Sequence, residues 1–122
     1  MIRITLPLPP SVNALYRNVA KRGRVKTERY NTWLQAAGWA LKEQKPGKVE
    51  GPYCLWLYCG KPDNRRRDLA NLEKAVSDLL VAHKIVEDDS LCAELHLYWE
   101  GTGRDCVVNV EPAKPIAMAR AA

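Results

Sequence analysis

The chain has 122 residues, of which 47% are hydrophobic and 27% charged, and its formal net charge is +5. This length predicts one domain with a single core, and the composition excludes a disordered or low-complexity chain. A modest positive charge is compatible with nucleic-acid binding and equally typical of a small basic protein with another role. Charge alone therefore does not decide the function.

The cysteines contain no CxxC pair, and the two histidines complete no spacing typical of a zinc site. We expect buried free thiols, as in a reducing cytoplasm, at Cys54, Cys59, Cys92 and Cys106. The N-terminal stretch MIRITLPLPP is too short for a signal peptide, and prolines break it. No apolar run approaches the ~20 residues that a membrane span requires. The sequence therefore predicts a soluble cytoplasmic protein with no membrane partner.

Hydrophobic periodicity predicts three segments in the first half of the chain. Residues 2–6 alternate apolar and polar side chains, as in a half-buried strand that ends at the following prolines. We interpret 7–26 as one long loop, which is the kind of segment that is usually functional or mobile. Apolar residues recur at helical spacing over 27–45, and a Pro-Gly pair ends that helix.

The second half predicts one more helix and three strands. Residues 52–59 are apolar on both faces and rich in aromatics, which predicts a central strand covered on both sides. Residues 68–82 place five apolar side chains in one arc, which predicts a helix packed on the sheet. Residues 94–100 and 105–111 alternate cleanly and are separated by a short Gly-containing turn, which predicts a hairpin.

These elements predict a single small α/β (α+β) domain with a mixed β-sheet. Their order is β-α-β-α-β-β, with two main helices and no internal repeat. The segment beyond the last strand is rich in Ala and Pro, so we expect a flexible tail over 113–122. The domain itself is predicted to occupy residues 1–112.

One motif combines opposite charges in a short stretch. RRRDLANLEKAVSDLL, residues 65–80, is followed by the acidic cluster EDD at 87–89. A helix over 68–82 is about 21 Å long, and the extended residues after it span up to roughly 24 Å. The chain can therefore return beside the helix and bring Asp88 or Asp89 level with Asp68. Two carboxylates beside arginines predict a Mg²⁺ site that a substrate phosphate completes.

Each of these residues also has a purely structural interpretation. Aspartate is a favoured helix N-cap, so Asp68 is suited to satisfy the first N–H groups of the helix. Lys74 is spaced to form an ion pair with Asp78 one turn later. The three arginines before Asp68 suit a solvated loop, and EDDS suits the cap of a turn. Chain reach allows the metal site without deciding between the two interpretations.

Two motifs resemble those of the RusA-type Holliday junction resolvases. That family shares a basic run, then D-x-D-N-x-x-K at a helix start, then a later D-D pair, and RRRDLANLEKAVSDLL…VEDDS resembles this order. Near the N-terminus, LPLPPSVNALYR resembles the family's P-P-S-x-N-x-x-Y signature. The resemblance runs over residues 3–111 with consistent order and spacing.

The resemblance implies a Mg²⁺-dependent homodimeric endodeoxyribonuclease that binds four-way DNA junctions and nicks two opposed strands. It implies that Asp68 and Asp89 are metal carboxylates, with Lys74 as the essential lysine and with Asp88 and Asn71 as motif neighbours. DNA contact is expected from the N-terminal signature and from two basic clusters: Asn13, Tyr16, Arg17, Lys21, Arg22, Arg24, Lys26, Arg65, Arg66 and Arg67. These clusters would hold the backbone of the junction through charge and would read its shape more than its bases.

One position departs from the family pattern. Ala70 stands where the family has its second aspartate. The missing oxygen ligand weakens the predicted metal site, unless Asn71, Asp88 or a bound water fills its place. Fold and junction binding do not depend on this position, whereas catalytic power does.

Three rival functions follow from the same residues. The first is a catalytically weakened junction-binding protein on the same fold, which Ala70 favours. The second is another metal-dependent nuclease, acting on branched DNA such as flaps, or on RNA. The third is a basic interaction module without enzyme activity, which explains the charge but leaves both motifs unexplained.

Overall fold

The computed structural model describes residues 1–114, which form a small domain of mixed α and β structure, as predicted. The strands are β1 (Ile2–Pro7), β2 (Tyr16–Val19), β3 (Gly23–Lys26), β4 (Tyr53–Lys61), β5 (Cys92–Thr102) and β6 (Asp105–Pro112). The helices are α1 (Glu28–Gln44) and α2 (Glu73–Ala82). Three 3₁₀ turns lie at Val12–Ala14, Leu69–Leu72 and Asp89–Leu91. Of the predicted tail, all but residues 113 and 114 lies outside the described part.

Helix α1 confirms the prediction from periodicity. Thr27 caps it, since its side-chain oxygen accepts the N–H of Tyr30 at 3.1 Å and its hydroxyl donates to the carbonyl of Ala14 at 2.6 Å. Trp33 lies on the buried face, and its indole N–H donates to the carbonyl of Pro7 at 2.9 Å. The helix is therefore fixed at its start to the end of β1 and to the turn that follows.

The predicted helix over 68–82 begins later than expected. Leu69–Leu72 forms a 3₁₀ turn, in which the N–H of Asn71 donates to the carbonyl of Asp68 at 3.1 Å. Helix α2 starts at Glu73 and buries Val76 and Leu79 in the core. The motif therefore enters its helix through a tighter turn than an α-helix provides.

The four-stranded sheet has the order β1-β6-β4-β5. β4 pairs antiparallel with β6 and parallel with β5, and β1 pairs antiparallel with β6. β4 lies in the interior of the sheet, as its apolar character predicted. The predicted cover on both sides is wrong, because Trp56 and Tyr58 on one face are only half-buried, whereas Leu55 and Leu57 on the other are buried.

The predicted hairpin between the last two strands is wrong, because β4 lies between them. The connection from β5 to β6 passes over the end of β4, where the N–H of Gly103 donates to the carbonyl of Lys61 at 3.0 Å. A Cβ at Gly60 would lie 3.2 Å from the backbone of Gly103. Glycine at position 60 lets the two backbones approach this closely.

The prediction of one long loop over 7–26 is also wrong. This segment contains the 3₁₀ turn at Val12–Ala14 and a separate two-stranded sheet of β2 and β3. Lys21 in the turn between the two strands and Gly23 at the start of β3 have φ of 67° and 73°. Both strands are largely exposed, so they lack the alternation that reveals a strand buried on one face.

The core lies on one face of the large sheet. Both helices pack there, against side chains such as Leu55, Leu57 and Val108. The opposite face has no helix over it within residues 1–114, and it carries two stacked ring pairs. Trp56 stacks on His96 at 5.0 Å, and Tyr58 on Tyr98 at 5.1 Å. Neither helix of the described part is long and apolar enough to span a membrane.

The cysteines are all free, as predicted. Cys54, Cys59 and Cys106 are buried, and Cys92 is half-buried at the start of β5. Burial raises the pKa of the Cys54 thiol to about 11, so the neutral thiol dominates at neutral pH.

Candidate nucleic-acid and metal site

Two motifs from distant parts of the chain meet at one cavity of about 470 Å³. Pro9 and Ser11 of the N-terminal signature line it, and so do Arg65, Arg66, Arg67 and Asp68 of the second motif. Behind the cavity, the 3₁₀ turn at Val12–Ala14 contacts the one at Leu69–Leu72. We call this the arginine cavity. Its lining explains structurally why the two motifs occur together.

One arginine of this cavity is held in place by a carboxylate. Arg67 donates to Asp63 from Nε at 3.2 Å and from Nη2 at 2.7 Å, the two-pronged geometry that favours arginine over lysine. Arg65 also donates to Asp63, through Nε at 3.1 Å. Hydrogen bonds from Arg67 and then from Arg65 hold the pKa of Asp63 well below its usual range. The loop before Asp68 is therefore ordered by charge pairing.

Asp68 stands at the N-cap position of the 3₁₀ turn, with extended backbone. Among the described residues, its side chain accepts no capping hydrogen bond. The carboxylate is exposed and lines the arginine cavity, so it is accessible to a cation or a phosphate-bound metal. The side chain of Asp68 therefore does not act as the helix cap that the purely structural interpretation predicted.

A second cavity, of about 400 Å³, gathers the other carboxylates and is here called the acidic cavity. Asp78, Asp88 and Asp89 line it, together with Tyr16 and Lys26 from the β2–β3 hairpin. The carboxylate of Asp88 accepts the hydroxyl of Ser90 at 2.5 Å, and this bond lowers the pKa of Asp88. Asp88 is thus an anion at neutral pH.

The predicted metal residues are divided between the two cavities. Asp68 lines the arginine cavity, whereas Asp88 and Asp89 line the acidic one. Within residues 1–114, no group of three His, Cys, Asp or Glu side chains is arranged to hold a metal ion by itself. A Mg²⁺ ion commonly takes only one or two protein carboxylates and completes its shell with water and phosphate. The assignment of these residues to a metal stays a prediction.

Lys74 makes the ion pair that its spacing suggested. Its Nζ donates to Asp78 Oδ1 at 3.0 Å, and both side chains are partly exposed. The pKa of Lys74 is raised first by this hydrogen bond and further by the charges of Asp89 and Glu73. Lys74 is therefore a cation paired with Asp78, one of the residues that line the acidic cavity.

Glu73 and Tyr53 are two groups that the sequence did not single out. Glu73 accepts a hydrogen bond from the buried hydroxyl of Ser77. The hydroxyl of Tyr53 is buried and has no hydrogen-bond partner within residues 1–114. Burial raises its pKa, and the charges of Cys92, Asp89 and Glu73 raise it further. The charges of Asp89 and Glu73 also raise the pKa of Lys74.

The first of the two predicted basic clusters, residues 21–26, lies on the β2–β3 hairpin. Lys21 and Arg22 form its tip, and Arg24 lies with its guanidinium 4.1 Å from the centre of the Tyr16 ring. Arg17, in β2, is exposed, as is Asn13 in the preceding 3₁₀ turn. The hairpin carries five cations over residues 16–26 and no carboxylate. It is the most strongly basic segment of the described chain.

Comparison with known proteins identifies the class as a nuclease. A family model described as "Endodeoxyribonuclease RusA" matches residues 7–111. The crossover junction endodeoxyribonuclease of Enterobacteria phage 82 is 36% identical over 96 residues, which cover 71% of this chain and 72% of that protein. The proteins of the same name from Shigella sonnei and Escherichia coli K12 are 35% identical with the same coverage.

The chain belongs to the RusA family of endodeoxyribonucleases, which confirms the resemblance of its two motifs.

Proposed function

We propose that this protein is a Mg²⁺-dependent endonuclease that binds four-way DNA junctions and cuts two opposed strands by hydrolysis. The observation that carries the proposal is the place of the N-terminal signature between the two cavities. Ser11 lines the arginine cavity and Tyr16 the acidic one. The turn between them packs on both Leu69–Leu72 and α2. A DNA strand that follows this surface passes arginines first and carboxylates next.

The donor set suits a hard divalent cation. Carboxylate oxygens are the ligands that Mg²⁺ prefers, and Asp68, Asp88 and Asp89 supply them. The buried Tyr53 hydroxyl is a further oxygen group without a hydrogen-bond partner in the described chain. When bound, Mg²⁺ supplies an activated water and offsets the charge that develops on the phosphate.

The side chains of the chain position the phosphate and stabilise its charge. Arg65 and Arg66 hold the backbone phosphates through charge, while Arg67, fixed by Asp63, gives the loop its shape. Lys74 leaves Asp78 when a phosphate enters, and stabilises the negative charge of the transition state or protonates the leaving oxygen. Cations of the hairpin hold a neighbouring arm of the junction.

Two nicks placed symmetrically require two active sites, so we propose a homodimer whose two-fold axis matches that of the junction. Such an enzyme acts on DNA in the cytoplasm, and the free buried thiols suit that reducing compartment.

A second candidate is a junction-binding protein of the same fold with weakened catalysis. Ala70 favours it, because this exposed residue of the 3₁₀ turn supplies no oxygen ligand. The separation of Asp68 from Asp89 into two cavities also favours it. Another metal-dependent nuclease, specific for flaps or other branched DNA, is the third candidate.

One experiment separates these candidates. The protein is incubated with a labelled four-way junction, a flap, linear duplex DNA and RNA, each with and without Mg²⁺. The proposed function predicts paired nicks in the junction alone, and only with Mg²⁺. Selective junction binding without nicks would establish the weakened form instead, and cleavage of the flap or of RNA in preference to the junction would exclude the resolvase.

A further inference from the structure

Two arginines outside both sequence motifs also line the arginine cavity. Arg29 lies in the first turn of α1, and Arg104 lies in the connection between β5 and β6. They come from opposite ends of the chain and from elements that the motifs do not include. Both side chains are exposed, so a ligand as large as a DNA strand can reach them.

The backbone fixes both arginines relative to the N-terminal signature. The carbonyl of Arg104 accepts the N–H of Leu8 at 2.8 Å. Arg29 is carried by α1, whose Trp33 donates its indole N–H to the carbonyl of Pro7 at 2.9 Å. The same short segment, which begins at Pro7, therefore holds the backbones of both arginines at one side of the cavity.

The charges of the cavity are strongly unbalanced. Five arginines line it, against the two carboxylates of Asp63 and Asp68. Asp63 is engaged by Arg65 and Arg67. Within residues 1–114, neither Arg29 nor Arg104 forms an ion pair. Guanidinium groups that converge on a concave surface without a carboxylate partner attract an anion, and their planar fork matches a phosphate.

We propose that Arg29 and Arg104 form a second phosphate site, which binds a backbone phosphodiester of the DNA strand beside the one that lies at Asp68. The inference rests on the proposed function, because it assumes that the strand enters this cavity. Pro7, Leu8 and Pro62 provide an apolar wall that suits the deoxyribose between two phosphates. Contacts of this kind set the register of the strand without reading its sequence.

The test measures DNA affinity across a salt titration in EDTA, with fluorescence anisotropy of a labelled junction and a labelled linear duplex. The variants are Arg29→Gln, Arg104→Gln and the double variant. Arg3→Gln is the matched control, since it removes the same charge from an exposed residue of β1 outside the cavity. Arg29→Lys and Arg104→Lys keep the charge, and circular dichroism melting verifies that each variant is folded.

We expect each glutamine variant to weaken binding roughly tenfold at physiological salt and to lower the slope of log affinity against log salt by about 0.9, the value for one lost phosphate contact. In the double variant the slope falls by about twice as much as in a single glutamine variant. The lysine variants keep most of the wild-type slope, and Arg3→Gln keeps all of it.

The two proposals fail in different ways. Junction-selective binding by the wild type, with Arg29→Gln and Arg104→Gln indistinguishable from Arg3→Gln, overturns the phosphate site and leaves the proposed function intact. Equal wild-type affinity for junction and duplex, with the slope lost in both glutamine variants, overturns junction selectivity and supports the phosphate site. A wild-type protein that binds neither DNA overturns both.

Discussion

Lys74 and Asp78 form an ion pair one helical turn apart on α2, with 3.0 Å between Nζ and Oδ1. Both side chains are partly exposed, so the pair contributes only about 0.3–0.5 kcal/mol to stability. Its larger consequence is for the proposed site, because Asp78 competes with a phosphate for Lys74, the lysine to which we assign the stabilisation of the transition state. In the absence of substrate, Lys74 is therefore paired with Asp78.

We predict that Asp78→Asn raises junction affinity about twofold, in line with the coupling energy of an exposed ion pair, and preserves cleavage. Lys74→Gln should bind the junction but lose cleavage. Anisotropy and single-turnover nicking measure the two effects. If Asp78→Asn loses cleavage as completely as Lys74→Gln does, then Asp78 is itself a functional carboxylate of the acidic cavity.

The Asp63–arginine network predicts a dependence of stability on pH. Arg67 and Arg65 depress the pKa of Asp63, so this carboxylate stabilises the fold above the ordinary aspartate pKa near 4. That contribution is lost as pH falls from there through the depressed folded-state pKa. Thermal melts of wild type and Asp63→Asn should differ at pH 6 and converge towards pH 2. A difference that persists undiminished at the lowest pH would show that the carboxylate charge is not responsible.

The sequence predicts a strand best where burial imposes a pattern. β4 reads as a central strand because it is apolar on both faces, and it is central. The predicted pairing of β5 with β6 is wrong, because a short turn suggests that neighbouring strands pair with each other. The position of β4 between them depends on contacts between residues far apart in the sequence. β2 and β3 are largely exposed, so no clear periodicity marks them.

The site shows the same division. The grouping of Asp68 with three arginines can be predicted from the sequence, since a single short motif contains them. Arg29 and Arg104 lie beside these residues only because the chain folds, and their positions in the sequence do not predict this proximity. Glu73 directly precedes Lys74, and its spacing of one helical turn from Ser77 could have predicted the hydrogen bond between their side chains. The later start of α2 depends on a 3₁₀ turn that periodicity does not distinguish from an α-helix.

The basic hairpin predicts the salt dependence of DNA binding. Neutralising Lys21, Arg22, Arg24 and Lys26 together should flatten the slope of log affinity against log salt by about 0.9 for each lost phosphate contact. Arg24 also stacks on Tyr16, so its replacement costs about 0.5–1 kcal/mol of local stability. Neutralising Lys42, Lys45, Lys48 and Lys84, which lie outside the hairpin, is the control. An equal loss of slope in both variants would indicate non-specific charge attraction.

Exposed apolar side chains predict self-association. Trp39 is 63% exposed on α1, and Leu95 and Tyr98 are each 44% exposed on β5. We predict a species of twice 13.8 kDa by sedimentation at micromolar concentration. Trp39→Glu should shift it to monomer, while Lys48→Glu should not. A wild-type protein that sediments only as a monomer contradicts the homodimer, and a dimer that tolerates Trp39→Glu places the interface on another surface, with Tyr98→Glu as the next variant.

We predict that Ala70→Asp raises Mg²⁺-dependent junction cleavage and leaves metal-free junction affinity nearly unchanged. Ala70 is exposed in the 3₁₀ turn that follows Asp68, so an aspartate there is tolerated and adds an oxygen ligand for a hard cation. Repulsion from Asp68 slightly disfavours the metal-free protein, so the gain depends on Mg²⁺. Single-turnover nicking across a Mg²⁺ titration measures it, with Asp68→Asn as the inactive control.

An unchanged rate for Ala70→Asp at every Mg²⁺ concentration, with Asp68→Asn still inactive, would show that this chain completes its site in another way. Asn71 and Asp88 then become the residues to vary.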